Sequence, residues 1–526
     1  MTSRNFDKFA PAFNQAVSAY KAGKFADAEQ LCQRIISADR NHFDAVHVLA
    51  VAQAALGKRE LALASYDRAL ALRPNHADVL SNRGSVLLAL NRHDEALESY
   101  DRALVTRPAF PEAFSNRGIA LEKIGRLDEA IASHDRALAL RPDFADALYN
   151  RGNVLRTLKR YDEAMASYDR AIALRPGHAD AHNNRGQLLR ELMRYDEALA
   201  CYDRALAVQP QHVMAHCNAA ALRLLLGDFA RGWADYEWRW LKDSVILANR
   251  MFPQPLWRGG DIAGKTILLH GEQGFGDTIQ FCRYVPLVAA RGVKVILEVQ
   301  QPLHALMTGL AGAAQVIVRG SPLPEFDVHC PLLSLPLAFA TRLETIPSTH
   351  AYLAAPAQHS AHWQTRLAAH RRPRIGLAWS GNAGHERDRE RSIGLREILP
   401  LLTAEATFVS LQKDIRAEDA AVLKQRGDIL DLGQELGDFS DTAALMAQLD
   451  LIIAVDTSVA HLAGALGKPV WILLTYVPDW RWLLDRNDSP WYPTARLFRQ
   501  DGARTWDGAI ARVREAALRF IDSERR

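Results

Sequence analysis

The sequence predicts an all-helical solenoid followed by two α/β units with parallel sheets. In the first part, the motif YDRALALRP returns almost unchanged every 34 residues, and a proline closes each copy. These prolines are Pro74, Pro108, Pro142, Pro176 and Pro210. Such a period is typical of stacked helical pairs, none of which can bury its apolar face alone. From Gly264 onwards, short β-rich runs separated by helices replace the repeat, and we expect any chemistry to lie there.

Length and composition narrow the class of protein. A chain of 526 residues is too long for one core, and its net charge of +3 argues against nucleic acid or an anionic membrane as the main partner. The five cysteines lack paired or metal-ligand spacing, as expected for reduced thiols in the cytosol. Residues 1–10 carry charges rather than the apolar core of a signal peptide, and no apolar stretch approaches a membrane span. We expect a cytoplasmic protein.

The repeat units have a recognisable packing face. In the unit spanning 77–108, small and apolar residues recur at helical spacing. They are Leu80, Gly84, Leu87, Ala96, Tyr100 and Ala103. These positions resemble the signature of the tetratricopeptide repeat. Two degenerate units are expected before Pro74 and an atypical one around 216–240, which gives six to seven repeats within residues 1–243. We expect the aromatic cluster in that last unit, which includes Trp233, to seal the end of the solenoid against the next domain.

An asparagine recurs at one place in the first helix of the units. The series is Asn82, Asn116, Asn150, Asn184 and Asn218. This position resembles the one that faces the inner groove in tetratricopeptide proteins. A line of amides can grip a peptide backbone whatever its sequence, because each amide both donates and accepts hydrogen bonds. The alternative is that each asparagine bonds to the neighbouring repeat and sets the register of the solenoid. The arginine that follows each of the first four is expected on a solvated face.

The second half predicts two Rossmann-like domains. Buried strands are expected at 266–270, 293–299 and 314–319, and then at 374–379, 407–412, 451–455 and 470–474. We expect the first domain to occupy 244–354 and the second 355–526. A linker rich in Ala, His and Arg at 355–373 is expected between the two series, with a closing helix at 508–521. Ligands in such sheets bind at the carboxyl ends of the strands.

The first predicted strand ends in a glycine-rich turn. Gly274 and Gly276 allow a tight turn, and Asp277 would open the next helix. Two roles suit this carboxylate. It can cap the helix, as Asp does well, or it can project into a cleft and take a proton from an attacking hydroxyl.

A second strand end carries a stronger signal. The strand 451–455 stops at Asp456, and Thr457 and Ser458 begin a helix that contains His461. Free amides, two hydroxyls and the helix dipole together form an anion site suited to a diphosphate. A histidine on a helix is more often structural, but the residues beside His461 favour a role in binding phosphate or sugar.

Two further strand ends offer polar side chains. After 374–379, a loop with Gly381 and Asn382 precedes Arg391, and these residues either cover a phosphate or form a solvated loop. At the end of the predicted strand 407–412, Gln412 and Lys413 reach the same edge of the sheet. The ammonium of Lys413 can neutralise a departing diphosphate or simply lie on the surface.

These motifs resemble glycosyltransferase family 9, the bacterial heptosyltransferases, over about 262–500. Gly276-Asp277 is similar to the Gly-Asp of the family's first loop, whose Asp is taken as the catalytic base. The run from Asp456 to His461 is similar to its Asp-Thr-x-x-x-His signature, which holds the donor diphosphate, and Arg391 is similar to a basic residue of the second domain. The resemblance implies the GT-B fold, a pair of Rossmann-like domains. A tetratricopeptide solenoid joined to such domains also resembles protein O-GlcNAc transferase. The segment 478–500 departs from lipopolysaccharide heptosyltransferases, so heptose is not implied.

The combined expectation is a metal-independent hexosyl- or heptosyltransferase that needs no cofactor beyond its nucleotide-sugar co-substrate. The acceptor would be a protein or peptide hydroxyl recruited by the repeats. Asp277 would deprotonate that hydroxyl, while His461, Lys413 and Arg391 assist the leaving nucleotide. No Asp-x-Asp motif stands at a predicted strand end, and no His/Cys cluster has ligand spacing. Two alternatives remain: a non-catalytic scaffold with a degenerate GT-B domain, and a transferase acting on lipopolysaccharide or another surface polysaccharide.

Overall fold

The protein is described by a computed structural model that covers residues 6–242, 252–384 and 388–524. The chain forms two compact units, Met1–Gln211 and His212–Arg526. The division comes before the last helical pair of the repeat series, whereas the sequence predicted it after that pair. The predicted boundary between residues 243 and 244 itself lies outside the described residues.

The first unit consists of helical pairs, as the period of 34 residues predicted. Its helices within the described range are α1 (Phe6–Lys21), α2 (Phe25–Ala38), α3 (Phe43–Ala55), α4 (Arg59–Leu72), α5 (Ala77–Ala89), α6 (His93–Thr106), α7 (Pro111–Lys123), α8 (Leu127–Leu140), α9 (Ala145–Thr157), α10 (Tyr161–Leu174), α11 (Ala179–Glu191) and α12 (Tyr195–Val208). The two degenerate units expected before Pro74 are α1–α2 and α3–α4. The all-α solenoid is therefore confirmed.

Three units, α5–α6, α9–α10 and α11–α12, pack a tyrosine ring against a glycine. Tyr100 is fully buried, and a Cβ atom added at Gly84 would lie 2.7 Å from its ring. The predicted packing face of this unit is buried throughout. Glycine is needed here because any side chain at position 84 would push the tyrosine out of the gap between α5 and α6.

One unit departs from this pattern. His134 occupies the tyrosine position in α8, is fully buried, and faces Gly118. Neither ring nitrogen has a hydrogen-bond partner among the described residues. Burial lowers the pKa of His134 to about 4, because an imidazolium there would lose its hydration without gaining a partner.

The recurrent arginines join neighbouring helices rather than pointing into solvent. Nε of Arg83 lies 2.7 Å from Oδ1 of Asp67 in α4, and Nη1 donates to Ser99 in α6 at 2.6 Å. The same bridge recurs at Arg117, Arg151 and Arg185. The prediction of a solvated face was wrong for these residues. It missed that the Asp of the YDR motif has its partner one helix away.

The second unit begins with α13 (Val213–Leu225) and α14 (Phe229–Tyr236), followed by a 3-10 turn at Glu237–Leu241. Within the described residues its first sheet comprises β1 (Thr266–His270), β2 (Lys294–Val299), β3 (Ala313–Val318) and β4 (Val328–Pro331), in the order β3-β2-β1-β4. The accompanying helices are α15 (Phe275–Phe281), α16 (Val285–Ala289), α17 (His304–Met307) and α18 (Leu335–Ala338). The strand pairs are parallel.

A second parallel sheet follows. In the described part of the chain its strands are β5 (Arg374–Ala378), β6 (Thr407–Ser410), β7 (Ile429–Asp431), β8 (Leu451–Val455), β9 (Val470–Leu474) and β10 (Ala495–Arg499), in the order β10-β9-β8-β5-β6-β7. The helices are α19 (Ala357–Leu367), α20 (Asp388–Arg391), α21 (Leu395–Ile398), α22 (Ala417–Lys424), α23 (Phe439–Ala447), α24 (Ser458–Ala465) and α25 (Asp507–Glu524). The two sheets confirm the Rossmann-like α/β prediction. The expected linker at 355–373 instead contains α19, which buries Trp363.

Strand order marks where a ligand can bind. In the second sheet the chain runs outward from β5 to β7 and then returns to place β8 on the other side of β5. The carboxyl ends of β5 and β8 therefore border a crevice at the point where the order reverses. The corresponding point of the first sheet lies between β1 and β4. There Arg239 donates to the buried carboxylate of Glu272 and to Ser334, so this crevice is filled by protein.

The last helical pair is built into the second unit. Trp233 in α14 is 2% exposed and donates to the carbonyl of Thr341 at 3.1 Å. Its ring meets Trp480 edge-on, with centroids 5.3 Å apart. The aromatic cluster thus packs onto the α/β domains, as the sequence suggested. No helix in the described ranges is long and apolar enough to cross a membrane.

Candidate active site

An uncapped helix start lies at the carboxyl end of β8. Thr457 is the N-cap residue of α24, yet its side chain makes no capping hydrogen bond. Its hydroxyl is buried, with 9% of the residue exposed, and has no partner among the described residues. The first-turn amides of α24 are therefore left without a side-chain acceptor. A helix start with free amides and an unused hydroxyl is suited to an anion.

The end of β5 borders the same crevice. Ser380 is 4% exposed, and its hydroxyl also lacks a partner in the part of the chain that the structure describes. Arg391 from α20 donates through Nη1 to the backbone oxygen of Asp456 at 3.0 Å. A Cβ atom at Gly381 would lie 2.6 Å from Nη2 of Arg391. The loop after β5 therefore holds a guanidinium beside the residue that precedes Thr457.

The helix that carries Asp277 approaches α24 from the first sheet. A Cβ atom at Gly276 would lie 2.8 Å from Cδ2 of His461 and 3.6 Å from Cα of Ser458. A larger residue at position 276 would displace the ring of His461. The glycine-rich turn thus allows the starts of α15 and α24 to meet.

The carboxylate of Asp277 has two kinds of partner. Its Oδ2 accepts the backbone N–H of Gly274 at 2.9 Å, so the helix-capping role is present. Its Oδ1 pairs with the guanidinium of Arg481, a residue from the segment after β9. The side chain remains 18% exposed, so part of it is accessible to solvent.

His461 is held as a neutral ring. Its Nδ1 lies 2.9 Å from the hydroxyl of Tyr492, and the ring stacks on Trp482 with centroids 5.4 Å apart. Burial, and then the charge of Arg481, lower the pKa of His461 to about 3. A neutral imidazole can donate or accept a hydrogen bond, but it adds no positive charge for a diphosphate.

Asp456 lies close to the same ring. Its Oδ1 is 3.9 Å from Nε2 of His461. Burial, and then the neighbouring carboxylate of Asp479, raise the pKa of Asp456 to about 6. Asp479, Arg481 and Arg391 are close enough to act on the charge of Asp456, and Asp277 and Asp479 act on that of Arg481.

Three predicted residues are hydrogen-bonded to backbone groups of their own or of neighbouring loops. Gln412 accepts the backbone N–H of Ser380 at 3.1 Å and donates to the carbonyl of Asp414, so it joins the ends of β5 and β6. Lys413 is exposed and donates to the carbonyl of Gly437 at 2.5 Å. Asn382 accepts the N–H of Gly384 at 2.8 Å and is exposed. The structure does not place these side chains against Thr457.

The asparagine series divides into two kinds. Asn184 donates to Tyr149 and Asn153 of the preceding repeat at 3.0 and 2.8 Å, and Asn116 reaches Ser85 at 3.5 Å. These two follow the register interpretation. Asn82 and Asn150 are half-buried, and their side chains make no hydrogen bond to a described residue. Asn218 is half-buried in α13, in the second unit.

Sequence reasoning missed the residues after β9. Arg481 contacts Asp277, and Trp482 and Tyr492 contact His461. The sequence marked 478–500 only as a departure from lipopolysaccharide heptosyltransferases. Spacing alone does not show that a loop after one strand folds over the helix after another. Within the described ranges, no group of three His, Cys, Asp or Glu side chains is placed to hold a metal ion.

Comparisons with known proteins agree with this architecture. Residues 47–114, 115–179 and 179–212 match models of the tetratricopeptide repeat. Residues 413–491, which include Asp456, Thr457, His461 and Arg481, match the model of glycosyltransferase family 9 (heptosyltransferase). The chain carries tetratricopeptide repeats followed by a glycosyltransferase family 9 domain.

Individual relatives are more distant. The chain is 29% identical to protein FlbA of Caulobacter vibrioides over 335 residues. The matched region covers 58% of this chain and 55% of FlbA. It therefore spans about half the length of this curated relative. Among solved structures it is 26% identical to YrrB, a TPR protein with an unusual peptide-binding site, with a TM-score of 0.30 over 35% of this chain and 95% of YrrB. It is also 26% identical to MamA, with a TM-score of 0.29 over 31% and 95% of the two chains.

Proposed function

We propose that this protein transfers a sugar from a nucleotide-diphosphate donor to a hydroxyl group of a protein or peptide bound by the repeats. The observation that carries the proposal is the meeting of two helix starts, the uncapped one at Thr457 and the one that bears Asp277. An anion site and a carboxylate within one cleft are what glycosyl transfer needs, since the leaving group is anionic and the acceptor must lose a proton.

The donor diphosphate is placed at the start of α24. The free amides of the first turn and the hydroxyls of Thr457 and Ser380 would donate hydrogen bonds to the oxygens of the diphosphate. Arg391 supplies positive charge from the loop after β5. These amides, hydroxyls and the guanidinium would stabilise the negative charge of the leaving diphosphate, so the reaction that we propose is metal-independent. His461 would contribute a hydrogen bond rather than a charge, because its ring is neutral.

Asp277 is placed on the opposite side of the cleft. In this arrangement its carboxylate accepts the proton of the acceptor hydroxyl while the bond between the sugar and the diphosphate breaks. The oxygen of the acceptor forms the new bond to the sugar, and the nucleoside diphosphate leaves with the electron pair. Closing the site against water would limit hydrolysis of the donor.

The donor site can be tested with Thr457→Val, which removes the hydroxyl and keeps the shape of the side chain. We expect one class of UDP-, GDP-, ADP- or dTDP-sugar to raise the melting temperature of the wild-type protein without added metal. Loss of a hydrogen bond to a charged phosphate costs about 1.5–3 kcal/mol, so the variant should bind that donor about 10–100-fold more weakly. Titration calorimetry measures the difference.

Thr403→Val is a matched control, because Thr403 caps a turn through Glu405 at a place outside the crevice. It should bind the donor as the wild type does. If Thr457→Val binds the donor as tightly as the wild type does, the diphosphate does not bind at the start of α24. Absence of any shift with all four nucleotide classes would favour a scaffold over a transferase.

The acceptor is proposed to lie along the asparagine series. Asn82 and Asn150 offer amides that no described residue uses, which suits a peptide backbone. Replacing both by alanine should reduce sugar incorporation into protein about tenfold, since each hydrogen bond contributes about 0.5–1.5 kcal/mol. Hydrolysis of the donor should be unchanged. The measurement follows labelled sugar from the donor into protein in a cell extract.

The paired variant Asn116→Ala with Asn184→Ala separates grip from register. These residues bond to the preceding repeat, so their loss should lower the melting temperature as well. If both pairs of substitutions lower the melting temperature equally and leave incorporation unchanged, the series sets register only. Incorporation into lipid or polysaccharide instead of protein would assign a different acceptor.

A further inference from the structure

The segment after β9 places a buried arginine at the centre of the cleft. Arg481 is 8% exposed, and its guanidinium uses all three nitrogens. Nε donates to Oε1 of Gln280 at 2.6 Å, Nη1 donates to Oδ1 of Asp479 at 2.8 Å, and Nη2 pairs with Asp277. Gln280 and Asp277 come from α15 of the first sheet, and Asp479 comes from the loop after β9 of the second. One side chain thus joins the elements that face each other across the cleft.

The guanidinium is fixed on its remaining face as well. The Cζ atom of Arg481 lies 4.3 Å from the centroid of the Trp480 ring, a cation–π distance. The backbone N–H of Arg481 also donates to Asp479 at 3.0 Å. A side chain held by three polar partners and a ring cannot rotate freely. Its position therefore fixes the orientation of the Asp277 carboxylate.

The charge of Arg481 extends to the donor side of the cleft. It acts on the pKa values of His461 and Asp456, which belong to the segment proposed to hold the diphosphate. Asp277 in turn is surrounded by several other ionisable groups. They are Glu272, Tyr236, Asp479, His461 and Arg481. Arg481 is in direct contact with the carboxylate of Asp277. The other buried arginine nearby, Arg239, is paired with Glu272 and Glu237 instead.

We propose that Arg481 is a positioning residue for the transfer reaction, which orients the carboxylate of Asp277 towards the cleft and keeps it free of a proton. The inference rests on the proposed function, in which Asp277 is the base. A base must be ionised before it can take a proton, and a neighbouring guanidinium stabilises the ionised form. Oδ1 of Asp277 accepts a hydrogen bond from Arg481, and Oδ2 accepts the backbone N–H of Gly274. Because both oxygens are held, the carboxylate has one orientation.

Arginine is suited to this task and lysine is not. The guanidinium reaches Asp277, Asp479 and Gln280 at the same time through three separate nitrogens. An ammonium keeps the charge but lacks the planar fork. Arg481→Lys therefore separates charge from orientation, and Arg481→Met removes both while keeping most of the apolar length.

The first test titrates Asp277 directly in the full-length protein. Aspartate carbons are labelled with 13C at the γ position, and the signal of Asp277 is assigned by its absence in Asp277→Asn. In Arg481→Met the midpoint of this titration should rise by about 1–3 pH units relative to wild type, the usual effect of a contacting arginine. In Arg481→Lys the rise should be smaller. An unchanged midpoint in Arg481→Met would overturn the proposal.

A second measurement uses the nucleotide sugar that stabilises the wild-type protein. The acid limb of kcat/KM should move to higher pH in Arg481→Met in parallel with the NMR midpoint. Arg481→Lys should move the limb less than Arg481→Met does but should still lower kcat, because orientation is lost. In Arg481→Met, a fall in rate with no movement of the limb would show structural support only and would overturn the proposal. If Arg481→Met does not fold, Arg481→Lys decides through its NMR midpoint, which must lie above that of wild type.

The two proposals fail in different ways. The NMR titration does not depend on any substrate, so it judges the role of Arg481 even if no donor is found. Conversely, full transfer activity in Asp277→Asn would show that Asp277 is not the base. The effect of Arg481 on the titration of Asp277 in the wild-type protein would still stand.

Discussion

Asp277→Asn is expected to lower kcat for sugar transfer about 100- to 10,000-fold while leaving donor binding close to that of wild type. The magnitude is that of a lost general base. The single amide oxygen of Asn can accept either the N–H of Gly274 or the guanidinium of Arg481, but not both. The loop after β9 should keep its place because Nε and Nη1 of Arg481 still donate to Gln280 and Asp479. Rates are measured with the donor that stabilises the wild-type protein, and donor binding is measured by the thermal shift.

The capping role of the same carboxylate supplies the control. Asp228 caps α14 by accepting the N–H of Arg231 at 3.3 Å and lies outside the cleft. Asp228→Asn should therefore change activity less than about twofold. If Asp277→Asn and Asp228→Asn behave alike, Asp277 only caps its helix. A loss of donor binding in Asp277→Asn equal to the loss of rate would also contradict the assignment.

Periodicity predicted the fold well wherever a segment was long or apolar. Strands β1, β8 and β9 begin and end where the hydrophobic runs do, because central parallel strands are buried on both faces. Strands β4, β7 and β10 were missed. The first two have four and three residues, and β10 is an edge strand with arginine at two of its five positions. Short or edge strands lack the continuous apolar run that identifies a buried strand.

The site was predictable from local chemistry and not from tertiary contacts. Asp277, Thr457 and Ser458 follow predicted strands, so their meeting at the edges of the sheets could be argued from the sequence. Gln412 and Lys413 also follow a strand, yet neighbouring loops take up their hydrogen bonds. Arg481 lies 204 residues from Asp277 along the chain, and no local pattern connects them. The asparagine period left two roles open, peptide binding or register, and either would apply to all five, whereas the partner in the preceding repeat differs from unit to unit.

Acid is expected to weaken the repeat unit through His134, and His134→Tyr is expected to remove that weakness. The pKa of the buried ring is about 4, while an imidazole in the unfolded chain has a pKa of about 6.5. Between these values the unfolded state binds a proton that the folded state excludes. Stability is therefore fully present above about pH 6.5 and is lost as the pH falls towards 4. At pH 5 the loss from this one ring amounts to about 2 kcal/mol.

The repeats themselves supply the matched variants. Tyr100 and Tyr168 occupy the same position opposite Gly84 and Gly152, so a tyrosine should fit opposite Gly118. Urea unfolding followed by helical circular dichroism at pH 7 and pH 5 gives the difference for each protein. Other histidines contribute equally to wild type and variant, so the comparison isolates His134. The reciprocal change Tyr100→His should add a similar loss at pH 5, because it places a second unpartnered imidazole in the same surroundings. Equal losses in wild type and His134→Tyr would mean that the ring is solvated or partnered in the folded protein, since only an unpartnered buried imidazole excludes the proton.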